Sequence, residues 1–290
     1  MATDDASNGE NGNKNNGQKQ DNSAAGTVKR TVRMLAALAD LGGEAGVGKI
    51  ADHLALPAST VHRLLKILTE EGVVVRDPDT HNYSIGAELY RISSRVTAQV
   101  DITAIVRPYL EDVANTFDET VIFGIYMPAN KALSFTARAD GAQLLRYRIE
   151  LHRPLSLVWG ASGKAVLAQL DSATVADVLE HERGLAGGGR APGSAAELPT
   201  LDELERDLQA VRTAGYAISE GEKLPQARGI GTPVFDARGV VGSITLTSPK
   251  DRLPHGEIST IAAALIDAAR SISRDLGSTA ANFSPGVVSP

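Results

Sequence analysis

The hydrophobic and polar positions of this chain change period as they run. From Leu56 to Glu70 the apolar residues Val61, Leu64, Leu65 and Leu68 fall at i, i+3, i+4 and i+7, the spacing that lines one side of an α-helix. Ser59, His62, Arg63 and Lys66 repeat that spacing on the opposite side, so the same helix has a core face and a polar face. Upstream, Val28, Val32, Leu35 and Leu38 mark a first helix closed by Gly42 and Gly43. A shorter helix follows with Ile50, Ala51 and Leu54 inward, and Pro57 stands where a first-turn proline presets the entry angle of the next. Downstream the period becomes that of strands: residues 73–76 and 83–85 flank the turn-forming segment DPDTHN. The order helix, helix, helix, hairpin predicts a winged helix-turn-helix over residues 24–86.

The polar face has the chemistry that a DNA major groove asks for. Ser59 and Thr60 can donate to phosphates or base edges from the helix N-terminus, Arg63 can fork onto guanine, and His62 and Lys66 reach base edges or backbone. His81 and Asn82, in the hairpin turn, are counted with them as candidate contacts. The competing account is an ordinary solvated face, since an Arg and a Lys on a polar stripe serve solubility in most helices. Charge does not separate the two: residues 24–86 hold seven Lys and Arg against seven Asp and Glu. A neutral module depends on a second copy for affinity, because each phosphate contact adds only part of a salt-sensitive whole.

The remaining chain divides by composition. Residues 1–23, with no branched aliphatic side chain, cannot bury a core and read as a disordered tail, as do residues 278–290. Residues 87–100 read as a linker helix with Leu89, Ile92 and Val96 in one stripe, able to pair with its twin in a dimer. A second stripe, Ile102, Val106, Leu110 and Val113, begins after an interruption near Asp101. Residues 101–277 then read as an α/β domain with a mostly antiparallel sheet. VIFGIYM, KALSFTARA and LLRYRIEL are expected as successive strands, followed by helices from Ser162, from Asp171 and, through a capping box of Thr200 with Glu203, from Thr200. GYAIS, GIGTPVFD and VVGSITLTSP return as strands before a last amphipathic helix, and residues 184–199 are a loop by composition. The fold class is therefore α+β: a winged helix-turn-helix, a linker helix and a larger α/β domain.

Composition narrows the chemistry. The 290 residues contain no cysteine, which removes disulfides, thiolate metal sites and cysteine nucleophiles and suits a reducing cytoplasm. No apolar run spans a bilayer and no secretion signal opens the chain. An enzyme finds little support. GASGKA at 160–165 fails as a phosphate loop, with Val158 and Ala165 at the positions that need Gly and Ser or Thr, and fails as a serine-hydrolase elbow because Lys164 takes the last glycine's place. The six histidines show no paired metal spacing, so no metal or cofactor is expected. A third account, a winged helix used only for protein contacts, stays open on the neutral charge.

Three segments in register, LPASTVHRLLKILTEEGVVVRD, GASGKAVLAQL and AGYAISEGEKLPQARGIGTPVFDARGVVGSITLTSP, resemble the IclR family of bacterial transcriptional regulators over about residues 27–277. The resemblance implies a GAF-like effector-binding domain behind the winged helix, a homodimer or dimer of dimers on double-stranded operator DNA, and control by a small carboxylic acid, commonly of a catabolic operon. It also implies a pocket. The amides of Ala161 and Ser162, opening a helix, stand where relatives hold a carboxylate, which suits the positive end of a helix. Thr245 and Thr247 alternate on one strand and share a face. Ser219 replaces a commonly acidic residue and Gly229 a larger polar one, which implies a roomier or less polar site, with Leu144, Tyr147 and Trp159 as its apolar wall. Each has a plainer account: strand threonines, core aromatics, a capping serine. Glu220, Glu222 and Lys223 border the pocket in relatives but read as a solvated loop. Where relatives carry a hydroxyl cap, the second helix opens on Gly46 and Gly48, so it is expected to fray in the free protein and firm up on DNA.

Overall fold

The computed structural model describes residues 14–97, 101–144, 146–185, 197–223 and 225–278, with side chains from residue 26 onward except that of residue 97. The chain divides into two compact units between residues 100 and 101.

The first unit has the expected element order. Helix α1 spans Lys14–Asp40 and buries Met34, Ala37 and Leu38, while Val28 and Val32 on the adjoining face are 64% and 62% exposed. The helix thus begins within the segment read from composition as a loose tail. Extending an existing helix needs no new nucleus, so weakly apolar residues can continue one that a packed turn has started. It ends where Gly43 N–H returns to the Leu38 carbonyl at 3.0 Å, both closing glycines having positive φ. Helix α2, Val47–Leu54, turns through Ala55 and Leu56 into α3, Ala58–Glu70, with Pro57 as N-cap.

A two-residue strand that periodicity had no means of finding, β1 at Glu44–Ala45, joins the hairpin of β2, Val74–Arg76, and β3, Tyr83–Ile85, in the order β1-β3-β2. Buried Ile50, Leu54, Val61, Leu64, Leu65, Leu68, Val74 and Tyr83 make its core. Helix α4, Ala87–Thr97, follows directly and leaves Tyr90, Ile92 and Val96 exposed. The expected linker's last three residues lie outside the described ones.

The second unit is a six-stranded, wholly antiparallel sheet between two helical layers. Its order is β6-β5-β4-β9-β8-β7, built from β4 Thr120–Met127, β5 Ala132–Ala139, β6 Pro154–Ser156, β7 Ala217–Glu220, β8 Ala227–Asp236 and β9 Gly239–Pro249. One face packs Val121, Phe123, Ile230, Ile244 and Leu246 against α5, Ile102–Phe117, and α9, Ile258–Asp275. The other packs Ile122, Leu133 and Phe135 against α6, Gly160–Leu167, α7, Ser172–Arg183, and α8, Leu201–Ala214. Strands in the middle of this sheet carry apolar residues on both sides because both sides are covered. Asp101, Asp171 and Thr200 cap α5, α7 and α8, the last with the full capping box.

One expected strand is absent among the described residues. Residues 146–150 of LLRYRIEL carry no strand, since the free edge of β5 is taken by β6, with Ala132 opposite Ser156. The Asp118 carboxylate accepts from the Ala142 amide and, at 2.8 Å, from Gln143, which turns the chain away from the sheet. Arg146 then pairs with Asp140 instead of entering a ladder. Most of the loop expected over 184–199 lies outside the described residues.

Candidate functional site

The exposed face of α3 is assembled by subtraction. Val61, Leu64, Leu65 and Leu68 are buried, which rotates Ser59, His62, Arg63 and Lys66 outward and leaves Thr60 half-buried. Ile67, one turn beyond Arg63, is also exposed and was not anticipated. Lys66 has Glu70 at 3.9 Å, a wet ion pair of little energetic weight. At the tip of the wing the Asp77 carboxylate accepts from the Asp79 and Thr80 amides at 2.9 and 2.7 Å, bonds that hold it below the usual carboxylate range and lock the turn. His81 sits there exposed, at φ +59°. Asn82 does not project in the same way: its amide donates to Glu44 at 3.1 Å, and its oxygen lies 3.1 Å from where a Cβ on Gly46 would stand. The glycine at the start of α2 therefore leaves room for the wing as well as lacking a cap.

In the second unit the residues expected around a pocket fall into two groups. Ala161, Ser162, Ser219, Gly229 and Thr245 come together where α6 begins against β7, β8 and β9. The Ala161 amide donates to Ser219 Oγ at 2.9 Å, Ser162 Oγ donates to Thr245 Oγ1 at 2.9 Å, and Ser243 Oγ reaches the Ser162 carbonyl at 3.0 Å. Thr247 lies two residues along the same face, 3.5 Å from the Arg228 carbonyl. A Cβ at Gly231 would stand 2.7 Å from Thr245 Oγ1 and 2.9 Å from the Ala161 carbonyl, so glycine there is what lets α6 approach the sheet. At Gly229, expected to leave room, an added Cβ would stand 3.0 Å from Ser219 Oγ and 3.4 Å from Ala161 Cβ, so Ser219 and the start of α6 already border that space.

The apolar wall does not form as expected. Leu144 is 97% exposed, because the chain turns outward before it. It and Tyr147 nevertheless line one open surface depression with Arg138, Asp140, Arg146 and Arg148, away from Trp159, and the Tyr147 phenol is pushed up by partial burial against the opposing effect of Arg252. Trp159 is 5% exposed and packed into the inner core as the N-cap of α6.

The end of β7 and the loop after it correct the reading of a solvated charged segment. Glu222 Oε2 accepts from the Gly160 amide at 2.8 Å and its Oε1 from Lys164 Nζ at 2.7 Å, with side chains 18% and 12% exposed. Glu220 pairs with the buried Arg228, which holds its carboxyl below the usual range. Lys223 lies over Gly160, with Cε 3.3 Å from where a Cβ on that glycine would stand, and desolvation pushes its amine down to about 8. Lys164, Glu222 and Lys223 carry a signal in sequence only as a cation in a helix and a charged loop; their meeting across 58 residues between positions 164 and 222 is a tertiary fact.

A winged helix-turn-helix, with its third helix turned outward, in one chain with an α/β domain whose polar cluster gathers at a helix start, defines a two-domain DNA-binding transcriptional regulator. Comparison with known proteins names the family. The profile of the bacterial transcriptional regulator IclR C-terminal domain matches residues 94–274, and that of the IclR helix-turn-helix domain residues 27–78. The glycerol operon regulatory protein of Streptomyces coelicolor is 30% identical over 257 residues, which cover 87% of this chain and 96% of that one. The chain belongs to the IclR family of transcriptional regulators, whose characterised members are regulators and not enzymes. Among solved structures, an IclR-type regulator from Silicibacter sp. TM1040 superposes with a TM-score of 0.74 at 23% identity over 86% of this chain and 97% of that one. An IclR homologue from Microbacterium hydrocarbonoxydans, complexed with 4-hydroxybenzoate, gives 0.68 at 21% over 86% and 98%. Among the described residues no cluster of His, Asp and Glu is arranged to hold a metal ion, and no helix is long and apolar enough to cross a membrane.

Proposed function

We propose that this regulator reads a specific operator sequence through α3, works in the cytoplasm as a homodimer or dimer of dimers, and releases or engages DNA in response to a small organic carboxylate, in control of a catabolic operon. The observation that carries the DNA reading is the split of α3 into a buried apolar stripe and an exposed row of Ser59, His62, Arg63 and Lys66. In this reading Arg63 forks onto guanine, His62 and Lys66 reach base edges or backbone, Ser59 and Thr60 fix the helix N-terminus on phosphates, and His81 brings the wing to the backbone. Asn82 acts indirectly, by tying the wing to Glu44. The dimer is supported by the apolar side chains that α1 and α4 leave uncovered, Val28, Val32, Tyr90, Ile92 and Val96, since two heads need a fixed separation. For the effector, the helix-start amides and the hydroxyls of Ser162, Ser219, Thr245 and Thr247 suit a carboxylate, and a relative's complex with 4-hydroxybenzoate points to the same class.

The test is fluorescence anisotropy with DNA from upstream of the chain's own gene, repeated across salt concentrations. Affinity is expected to fall steeply with salt, by a log–log slope of about −0.9 per phosphate contacted. Arg63→Ala is expected to abolish preference for the site over scrambled DNA while leaving oligomeric state unchanged. Selectivity that survives Arg63→Ala removes α3 as the reader. Salt-independent or absent binding favours the protein-contact account instead.

A further inference from the structure

The start of α6 is not an empty anion site, because the chain has placed one of its own carboxylates there. Glu222 spans the Gly160 amide and the Lys164 ammonium with both oxygens, and Ser219 covers the next amide, that of Ala161. These contacts come from one short segment, residues 219–222, with Gly221 at φ +68° between them. An incoming carboxylate would find the donors it needs already engaged by a group of its own kind.

We propose that Glu222 is a displaceable internal stand-in for the effector's carboxylate, so that effector binding at α6 is an exchange that lifts the 221–223 turn off the helix. This rests on the carboxylate-effector reading above and adds to it the internal competitor, Glu222 on the Gly160 amide and Lys164 Nζ, and the moving part. Charge supports the exchange. Once Glu222 leaves, the seat holds the Lys164 ammonium, opposed by Asp207 at 3.5 Å. That ammonium and the freed Gly160 amide call for an anion, and a carboxylate bonding to both repeats the geometry that Glu222 displays. The loop's release is then a change of state that ligand affinity can drive, since the effector binds the open arrangement better than the closed one.

Glu222→Gln in the full-length protein keeps the shape and an acceptor for Gly160 while removing the charge that competes with a ligand. Titration calorimetry and thermal shift with sodium benzoate and sodium pyruvate, with benzamide as the uncharged control, read the exchange directly. The variant is expected to bind one or both carboxylates about tenfold more tightly than the wild type, or to acquire binding where the wild type has none. Benzamide should show no gain. An affinity unchanged or reduced in a folded variant overturns the proposal, and so does a variant that cannot fold, because a displaceable group cannot be indispensable to the fold. Wild-type binding that Thr245→Val with Thr247→Val abolishes, together with an unchanged Glu222→Gln, removes the exchange and leaves the carboxylate effector in place. No carboxylate binding by wild type or Glu222→Gln removes both.

Discussion

The starts of α3 and α6 are built from similar materials and left in opposite conditions. Each opens on small residues, Ala58, Ser59 and Thr60 in one, Gly160, Ala161 and Ser162 in the other. In α3 no side chain caps the helix start and the polar groups beyond it are exposed. In α6 two amides are taken by Ser219 and Glu222, and Ser162 is buried against Thr245. The difference teaches that a helix start becomes available to a partner only if the rest of the fold withholds its own acceptors. For α3 the core lies entirely on one side; for α6 the sheet and the 221–223 turn close over the other side as well.

The sharpest way to break the contrast is to exchange the roles of adjacent α3 positions. Leu65→Ala should destabilise the first unit by about 2–5 kcal/mol in denaturant unfolding, because Leu65 is wholly buried. Lys66→Ala should change stability by less than about 0.5 kcal/mol yet reduce the salt slope of DNA binding by about 1. A stability loss at Lys66 like that at Leu65 would mean the outward face has been misplaced.

A second comparison concerns the charge that the closed site buries. Lys223 holds its proton less tightly in the folded protein, at about 8, than at its ordinary value of 10.5. Between those values the unfolded chain binds the extra proton, so the cost of burying the ammonium is present below about 8 and relieved as pH rises toward 10.5. Wild-type stability, measured as a difference from Lys223→Met, should therefore climb over that interval. A difference that stays flat, or falls, would show that the amine is fully solvated.

The smallest expected effect lies at the start of α2. Gly48 is exposed, with nothing within 4 Å of an added Cβ, so Gly48→Ala should stabilise the first unit by up to about 1 kcal/mol. Amide exchange in α2 should slow in that variant and, in the wild type, on binding DNA. Equal protection with and without DNA would remove the idea that this helix firms up on its target.

Much of the first unit was legible because its code is local. Apolar spacing in α3, the closing glycines of α1 and the turn residues of the wing each act within a few positions, so their order yields the winged helix without knowledge of contacts. Caps at Asp171 and Thr200 were readable for the same reason. The failures are as specific. The alternation in LLRYRIEL has strand period, but a strand also needs a free partner, and β6 had taken that edge. Leu144 and Tyr147, expected as pocket wall with Trp159, line an open depression instead, because residues 146–150 do not enter the sheet. Glu222 looked solvated because nothing within its own segment could neutralise it.

From the order of residues alone, then, come the two-domain architecture, the split of α3 into inner and outer faces and the hydroxyl pair at 245 and 247, all set by periodicities that each residue shares with its chain neighbours. The three-dimensional fold alone decided that Val28 and Val32 stay uncovered, that Asn82 is tied to Glu44, and that the first amides of α6 meet Ser219 and Glu222. Burial and pairing between distant segments depend on which surfaces are already taken, and that competition is settled only when the whole chain has packed.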